Sequence, residues 1–121
     1  MKGLVIVASA FATAVAPSVH AAITRLSPME IKATFGTGKP FTANSATGSA
    51  SYTFVLNPDG TATQTSKRKS ATVINGAWRV DDKGYCSKWA GSGEHCYTIE
   101  KNGNRYSVRD GAGKVVSHWT P

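Results

Sequence analysis

The chain is poor in the residues from which most active sites are built: two cysteines, three histidines and seven acidic residues in 121. Cys86 and Cys96 stand too far apart for the CxxC arrangement of a redox site, and no helix start is placed to lower a thiol pKa. With both cysteines spent on each other and few histidines left, a zinc site would lack ligands, and no other cofactor motif is present. The aspartates Asp59, Asp81, Asp82 and Asp110 all fall in turn-type sequences, where Asp is favoured for its local hydrogen bonding, so paired-carboxylate catalysis has no independent support. Gly91-Ser92-Gly93 and Gly111-Ala112-Gly113 have hairpin-turn length and lack the following helix that a phosphate loop needs. After residue 21 every apolar run is broken by polar residues within a few positions, which excludes a membrane-spanning helix there.

What is present begins with export. Met1-Lys2 is a short basic start, Leu4 to Val15 an apolar run, and Val19 with Ala21 a small-residue cleavage site, so residues 1–21 are expected to be a cleaved signal peptide and 22–121 a single domain. The product is expected in the periplasm or outside the cell. Without Lys2 the 14 basic residues become 13 against 7 acidic ones, a net charge of +6. Such a surface attracts anionic polymers and lipid head groups, although its basic residues are scattered through most of the chain and serve solubility equally well.

Ser27-Pro28-Met29-Glu30 is a helix start: Ser caps, Pro tolerates the first helical position, and Glu three residues on completes a capping box. Met29, Ile31 and Phe35 are expected on one face of a short helix ended by Gly36, with an opening strand over MEIKATF as the alternative. From Lys39 on, turn residues recur every eight to twelve positions, the spacing of a sandwich or an up-and-down barrel. They delimit eight candidate strands near 39–45, 50–57, 60–66, 74–81, 85–90, 94–101, 104–109 and 114–119.

Cross-strand pairing must put apolar side chains on one face, which fixes registers. Centring a turn on Gly91 sets Cys86 opposite Cys96, Lys88 opposite Glu94, Tyr85 opposite Tyr97 and Ser87 opposite His95. The sulfurs and an ion pair then share one face and the aromatics the other. An Asp82-Lys83 turn sets Val80 opposite Tyr85 and Trp78 opposite Ser87. An Asn102-Gly103 turn sets Ile99 opposite Tyr106 and Tyr97 opposite Val108. For the last strand either Val115 or Val116 meets Val108, and Trp119 or His118 faces inward accordingly.

The expected fold is therefore all-β: a small up-and-down eight-stranded meander or barrel of lipocalin-like shape, with one N-terminal helix and a Cys86–Cys96 disulfide. Closure removes the exposed edges of an open sheet. Trp78, Tyr85, Trp89, Tyr97 and Tyr106 are the residues expected inside, as core or as a site for a small apolar or aromatic ligand. Lys67, Arg68 and Lys69 form the one dense charge run, suited to an anionic envelope polymer. It lacks interleaved aromatics for base stacking and does not read as a nucleic-acid interface. Ser87 with His95 is the only pairing that resembles a nucleophile and base, and no carboxylate is placed to orient the imidazole.

The run Gly76-Ala77-Trp78-Arg79-Val80-Asp81, Cys86 and Trp89 in CSKW, Cys96-Tyr97 in EHCYTI, Tyr106 and GKVVSHW resembles an uncharacterised family of exported bacterial proteins, the domain-of-unknown-function family numbered nine hundred ninety-five. The resemblance covers roughly residues 27–119 and implies a bacterial envelope location; it brings no activity and no catalytic residues. The function expected is that of a non-enzymatic binding barrel, with a cationic polymer-binding surface protein as the alternative and a hydrolase using Ser87 and His95 as the third reading.

Overall fold

The computed structural model describes residue 3, residues 23–68 and residues 71–121. The expected signal peptide, Gly3 apart, and Lys69 lie outside the described residues. A two-residue strand β1 (Thr24–Arg25) leads into helix α1 (Pro28–Phe35), followed by β2 (Phe41–Ser45), β3 (Ser51–Leu56), β4 (Thr61–Ser66), β5 (Val73–Val80), β6 (Tyr85–Trp89), β7 (Glu94–Asn102), β8 (Arg105–Arg109) and β9 (Val115–Thr120). Strands β2 to β9 pair antiparallel in sequence order, and β9 returns to β2, closing an eight-stranded barrel. The extra strand β1 pairs with the second half of β7, beyond the stretch that β6 occupies.

The capping box forms as the sequence predicts. Ser27 Oγ accepts from the Glu30 backbone N–H at 3.2 Å, and Glu30 Oε1 accepts from the Ser27 N–H at 3.0 Å. Ile31 and Phe35 are fully buried, but Met29, expected beside them, is 77% exposed. Two helical positions from Ile31 turn its side chain to the opposite side of the helix, away from the barrel. Gly36 caps the helix end, its N–H donating to Ile31 O and Lys32 O. A Cβ there would stand 2.5 Å from the Trp78 ring, so only a bare backbone lets the indole lie this close.

Because successive strands run in opposite directions, their turns alternate between two ends. The helix covers the end where β2 begins. There Phe35 meets Phe41 at 4.9 Å and Tyr106 at 5.0 Å between ring centroids, and it reaches Trp119 at 4.9 Å. Gly38 N–H, just beyond the helix, donates to Leu56 O, and the Trp78 indole N–H on β5 donates to Asn57 O at 2.7 Å, so both are tied to the end of β3 and its turn. The opposite end, with the turns after β2, β4, β6 and β8, has no covering element among the described residues.

The β5–β6–β7 registers are those the pairing argument predicts, from Val80 with Tyr85 to Cys86 with Cys96. Two registers differ. The β7–β8 turn is Gly103-Asn104, so Ile99 faces Val108 and Tyr106 faces Lys101. This is a shift of two residues, which leaves every side chain on its expected face. In β9 neither Val115 nor Val116 meets Val108: Ser117 does, while Arg109 faces Val115 across an irregularity between β8 and β9. The extra residue of such a bulge resets the alternation, and Trp119 faces inward and buried.

Cys86 and Cys96 are joined on the outer wall, with Cα atoms 4.0 Å apart. The ion pair beside them is not Lys88 with Glu94, although those two are opposed. Arg79, the partner of Cys86 on β5, reaches across β6 and holds Glu94 through Nη2 at 2.6 Å and Nε at 3.2 Å. A guanidinium binds a carboxylate through two parallel N–H groups, which a lysine cannot do.

Candidate functional site: the open end of the barrel

Inward positions of the strands build a half-enclosed recess of about 110 Å³ toward the uncovered end. Its floor is Tyr85 and Trp119, whose rings meet edge to face at 5.0 Å. Phe54, Trp89 and Tyr97 make the walls, with Phe54 and Trp89 rings 5.4 Å apart and Tyr97 stacked on Tyr85 at 5.9 Å. Ser87, Val108, Val116 and Ser117 complete the lining. Trp89 takes its place because its cross-strand partner is Gly76, where a Cβ would stand 2.7 Å from the indole. Among the described residues no charged side chain lines the recess.

Its polar atoms are hydroxyls. Ser117 Oγ donates to Asn44 O at 2.9 Å. Ser87 is the one buried polar residue among those described. Burial raises the Tyr85 phenol far above its ordinary value, partly offset by the nearby Ser87 hydroxyl, so it stays neutral and able to donate. Ser87 is close enough to temper that shift but not placed to hydrogen bond, and Tyr85 Oη is the buried side-chain polar atom left without a partner among the described residues. Burial also raises the Tyr97 phenol, helped by the charge of Asp110.

Of the five aromatic residues singled out from the sequence, Tyr85, Trp89 and Tyr97 meet in the recess. Trp78 and Tyr106 belong to the helix-covered end, where both are buried. The sequence reading passed over Phe54 and left Trp119 open against His118. Phe54 was legible from the alternation Tyr52, Phe54, Leu56, whereas Trp119 depends on the irregularity in β9, for which the sequence carries no signal.

Ser87 and His95 are opposed, but Ser87 is buried in the recess and His95 exposed at its rim, and no hydrogen bond joins them. The serine and histidine that do meet are Ser107 and His118, Oγ to Nδ1 at 3.2 Å, on the outer wall. Burial, then the charge of Arg105, lowers the His118 pKa. No carboxylate hydrogen bonds to either imidazole among the described residues, so neither pair has the orienting group that activates a serine. The carboxylates of Asp59, Asp81 and Asp110 are taken up by backbone N–H groups of their own turns. Among the described residues the one grouping of metal-ligand side chains is Asp81 with Cys86 and Cys96, and the disulfide occupies both sulfurs.

Lys67 and Arg68 stand on the turn after β4, at the same end as the recess. Lys67 turns away from it, however, with Nζ donating to Thr42 Oγ1 at 3.0 Å. Thr42 lies between the inward-facing Phe41 and Ala43, so this contact is on the outer wall. Comparison of the chain with protein-family models, curated proteins and solved structures finds no match.

Proposed function

We propose that this chain is a non-enzymatic binding module of the bacterial envelope whose open end takes up a small apolar or aromatic molecule. The observation that carries the reading is the recess: five aromatic rings around an unfilled space, at the one barrel end the helix leaves uncovered. A core built only for stability closes such a space, because unfilled volume forfeits dispersion contacts. A volume of about 110 Å³ is well below the ~300–1,000 Å³ of drug-sized pockets. It is on the scale of the ~150 Å³ apolar cavity that accommodates benzene, so the ligand is a single ring or its equivalent. The envelope location rests on the leader-like first 21 residues and the resemblance to an exported family, and a disulfide is in keeping with an oxidising compartment. No helix among the described residues is long and apolar enough to cross a membrane.

The test is titration of the protein with toluene, followed by amide and indole NMR resonances. Saturable shifts are expected at Trp89, Tyr97 and Val116, with Ile31 and Trp78 at the covered end unmoved. No shift up to the solubility limit of toluene would remove the reading.

A further inference from the structure

The wall of the barrel is uneven at its open end. Strand β5 runs from Val73 to Val80, but β6 pairs only with Gly76 to Val80, and the last link between them is Ala90 N–H donating to Asn75 O. Val73 and Ile74, opposed to Thr65 and Gln64 of β4, therefore lie on a hairpin that overshoots its neighbour. Val73 is 57% and Ile74 36% exposed, two of the four large apolar side chains exposed among the described residues. Ile74 shares the inward parity of Gly76 and Trp78, whereas Val73 points outward. Apolar residues scattered singly over a surface need no explanation. Two adjoining β-branched residues on a projecting strand edge are what soluble proteins ordinarily blunt with charge.

The charge at this end is of one sign. Its carboxylates are engaged, Glu94 by Arg79 and Asp110 by the N–H groups of Ala112 and Lys114. Arg68, on the turn after β4, and Lys114, on the turn after β8, are exposed and stand on opposite sides of the mouth. Neither forms an ion pair among the described residues. Lys67 is drawn down the outer wall to Thr42 and contributes less. Exposed apolar side chains flanked by uncompensated cations match an anionic lipid surface in both respects, since apolar burial and attraction to acidic head groups add.

We propose that the open end of the barrel docks on an anionic phospholipid bilayer, with Val73 and Ile74 in the head-group boundary and Arg68 and Lys114 among the phosphates. Penetration stops at that level, where water and phosphate satisfy the backbone of an edge that no strand pairs; hydrocarbon would leave it unsatisfied. None of the four residues lines the recess, so the docking surface goes beyond the ligand reading and does not require it. Docking would turn the mouth of the recess toward the phase in which apolar molecules dissolve.

The experiment is co-sedimentation of the mature chain with vesicles of phosphatidylcholine alone and of phosphatidylcholine with equal phosphatidylglycerol. Binding is expected to the mixed vesicles only, and to weaken with salt. Arg68→Gln and Lys114→Gln should each lower the affinity about fivefold, the worth of one cation near an acidic surface. The double substitution Val73→Ser with Ile74→Ser should lower it about tenfold or more. Met29→Ser, which removes an exposed apolar side chain at the covered end, should change nothing. Retention of the near-ultraviolet circular dichroism of the buried rings shows that each variant is folded. No binding to the mixed vesicles overturns the proposal, and if toluene still binds, the ligand reading stands without it. Undiminished binding by the double serine variant would mean that the surface recognises charge alone, as any polyanion would supply it, and the lipid assignment falls. A loss in Met29→Ser as large as in the double variant would place the contact at the wrong end of the barrel and overturn it equally.

Discussion

The two ends of this barrel are made by the same strands with the same inward alternation, yet one is a packed core and the other an open recess. At the covered end Ile31 and Phe35 drop into the barrel, and Leu56, Ile99, Trp78 and Tyr106 close around them, all buried. At the open end the corresponding inward residues Phe54, Trp89, Tyr97 and Val116 are only partly buried, and Ile74 stays exposed. The difference comes from eight helical residues and the capping box that starts them. Inward aromatics are thus neither core nor site by composition. Whether a local segment covers their end decides which they become.

The sharpest way to break this comparison is to truncate one ring at each end. Phe35→Ala removes a fully buried side chain in contact with Phe41, Tyr106 and Trp119. It is expected to cost about 3–5 kcal/mol in urea unfolding, the transfer and cavity terms together. Trp89→Ala, at the rim, should cost less than that despite deleting more atoms, because its side chain is only partly buried. Equal costs would mean that the open end is as much a core as the covered one.

The second expectation concerns the strands that wall the recess. The disulfide joins β6 to β7, which supply Tyr85, Ser87, Trp89 and Tyr97. Replacing both cysteines by serine should cost about 2.8 kcal/mol by the loop-entropy model. Hydrogen exchange should rise in β6 and the first half of β7, and change little in α1. A loss spread evenly over both ends would show the staple to be a global restraint and not one that serves the recess.

Much of this was legible in the sequence, and the reasons are physical. A two-residue turn with one glycine-rich neighbour leaves few registers, and Cys86, Tyr85, Cys96 and Tyr97 can satisfy only one of them with sulfurs and rings on opposite faces. The Asn102-Gly103 turn misplaced β8 by two residues without harm, since face depends on parity and not on register. The end of β9 was not legible, because a bulge is a backbone event with no residue type that demands it here. Nor was the choice between Lys88 and Arg79 for Glu94. Opposed positions predict the lysine, while guanidinium reach and two-point geometry favour the arginine one strand further away. Least visible was the division of the aromatics between two ends: Trp78 and Tyr85 both face inward, but only the helix position distinguishes plug from floor.

A smaller effect is expected from the outer wall between the ends. Glu94 is held below its ordinary value of 4.5 chiefly by the Arg79 hydrogen bond, and Asp81 below 3.8 chiefly by the Lys83 and Gly84 backbone N–H groups. Folded values below the unfolded ones mean that the native state binds fewer protons. The stabilisation is therefore complete above the ordinary values and is lost as pH falls through the lowered ones. Both carboxylates are solvent-exposed, so the effect is modest and screened by salt. Arg79→Gln should lower the urea midpoint slightly at neutral pH, and the difference from the wild type should vanish in strong acid. A difference that persists there would assign the role of Arg79 to its packing over Cys86 instead of its charge.

The smallest change, and the one that bears most on the open end, is Tyr85→Phe. At a covered end the loss of a buried hydroxyl ordinarily costs a hydrogen bond, about 1 kcal/mol. Tyr85 Oη has no protein partner to lose, so without ligand the phenylalanine variant should match the wild type in urea unfolding or exceed it by up to about 1 kcal/mol. A gain would mean that the floor of the recess carries a hydroxyl at the expense of stability, which a barrel selected for packing alone has no reason to retain. A loss of more than ~1 kcal/mol would mean that the hydroxyl is already satisfied in the free protein by water. The open end would then be a hydrated version of the covered one, and the contrast between the two ends would be one of solvent and not of function.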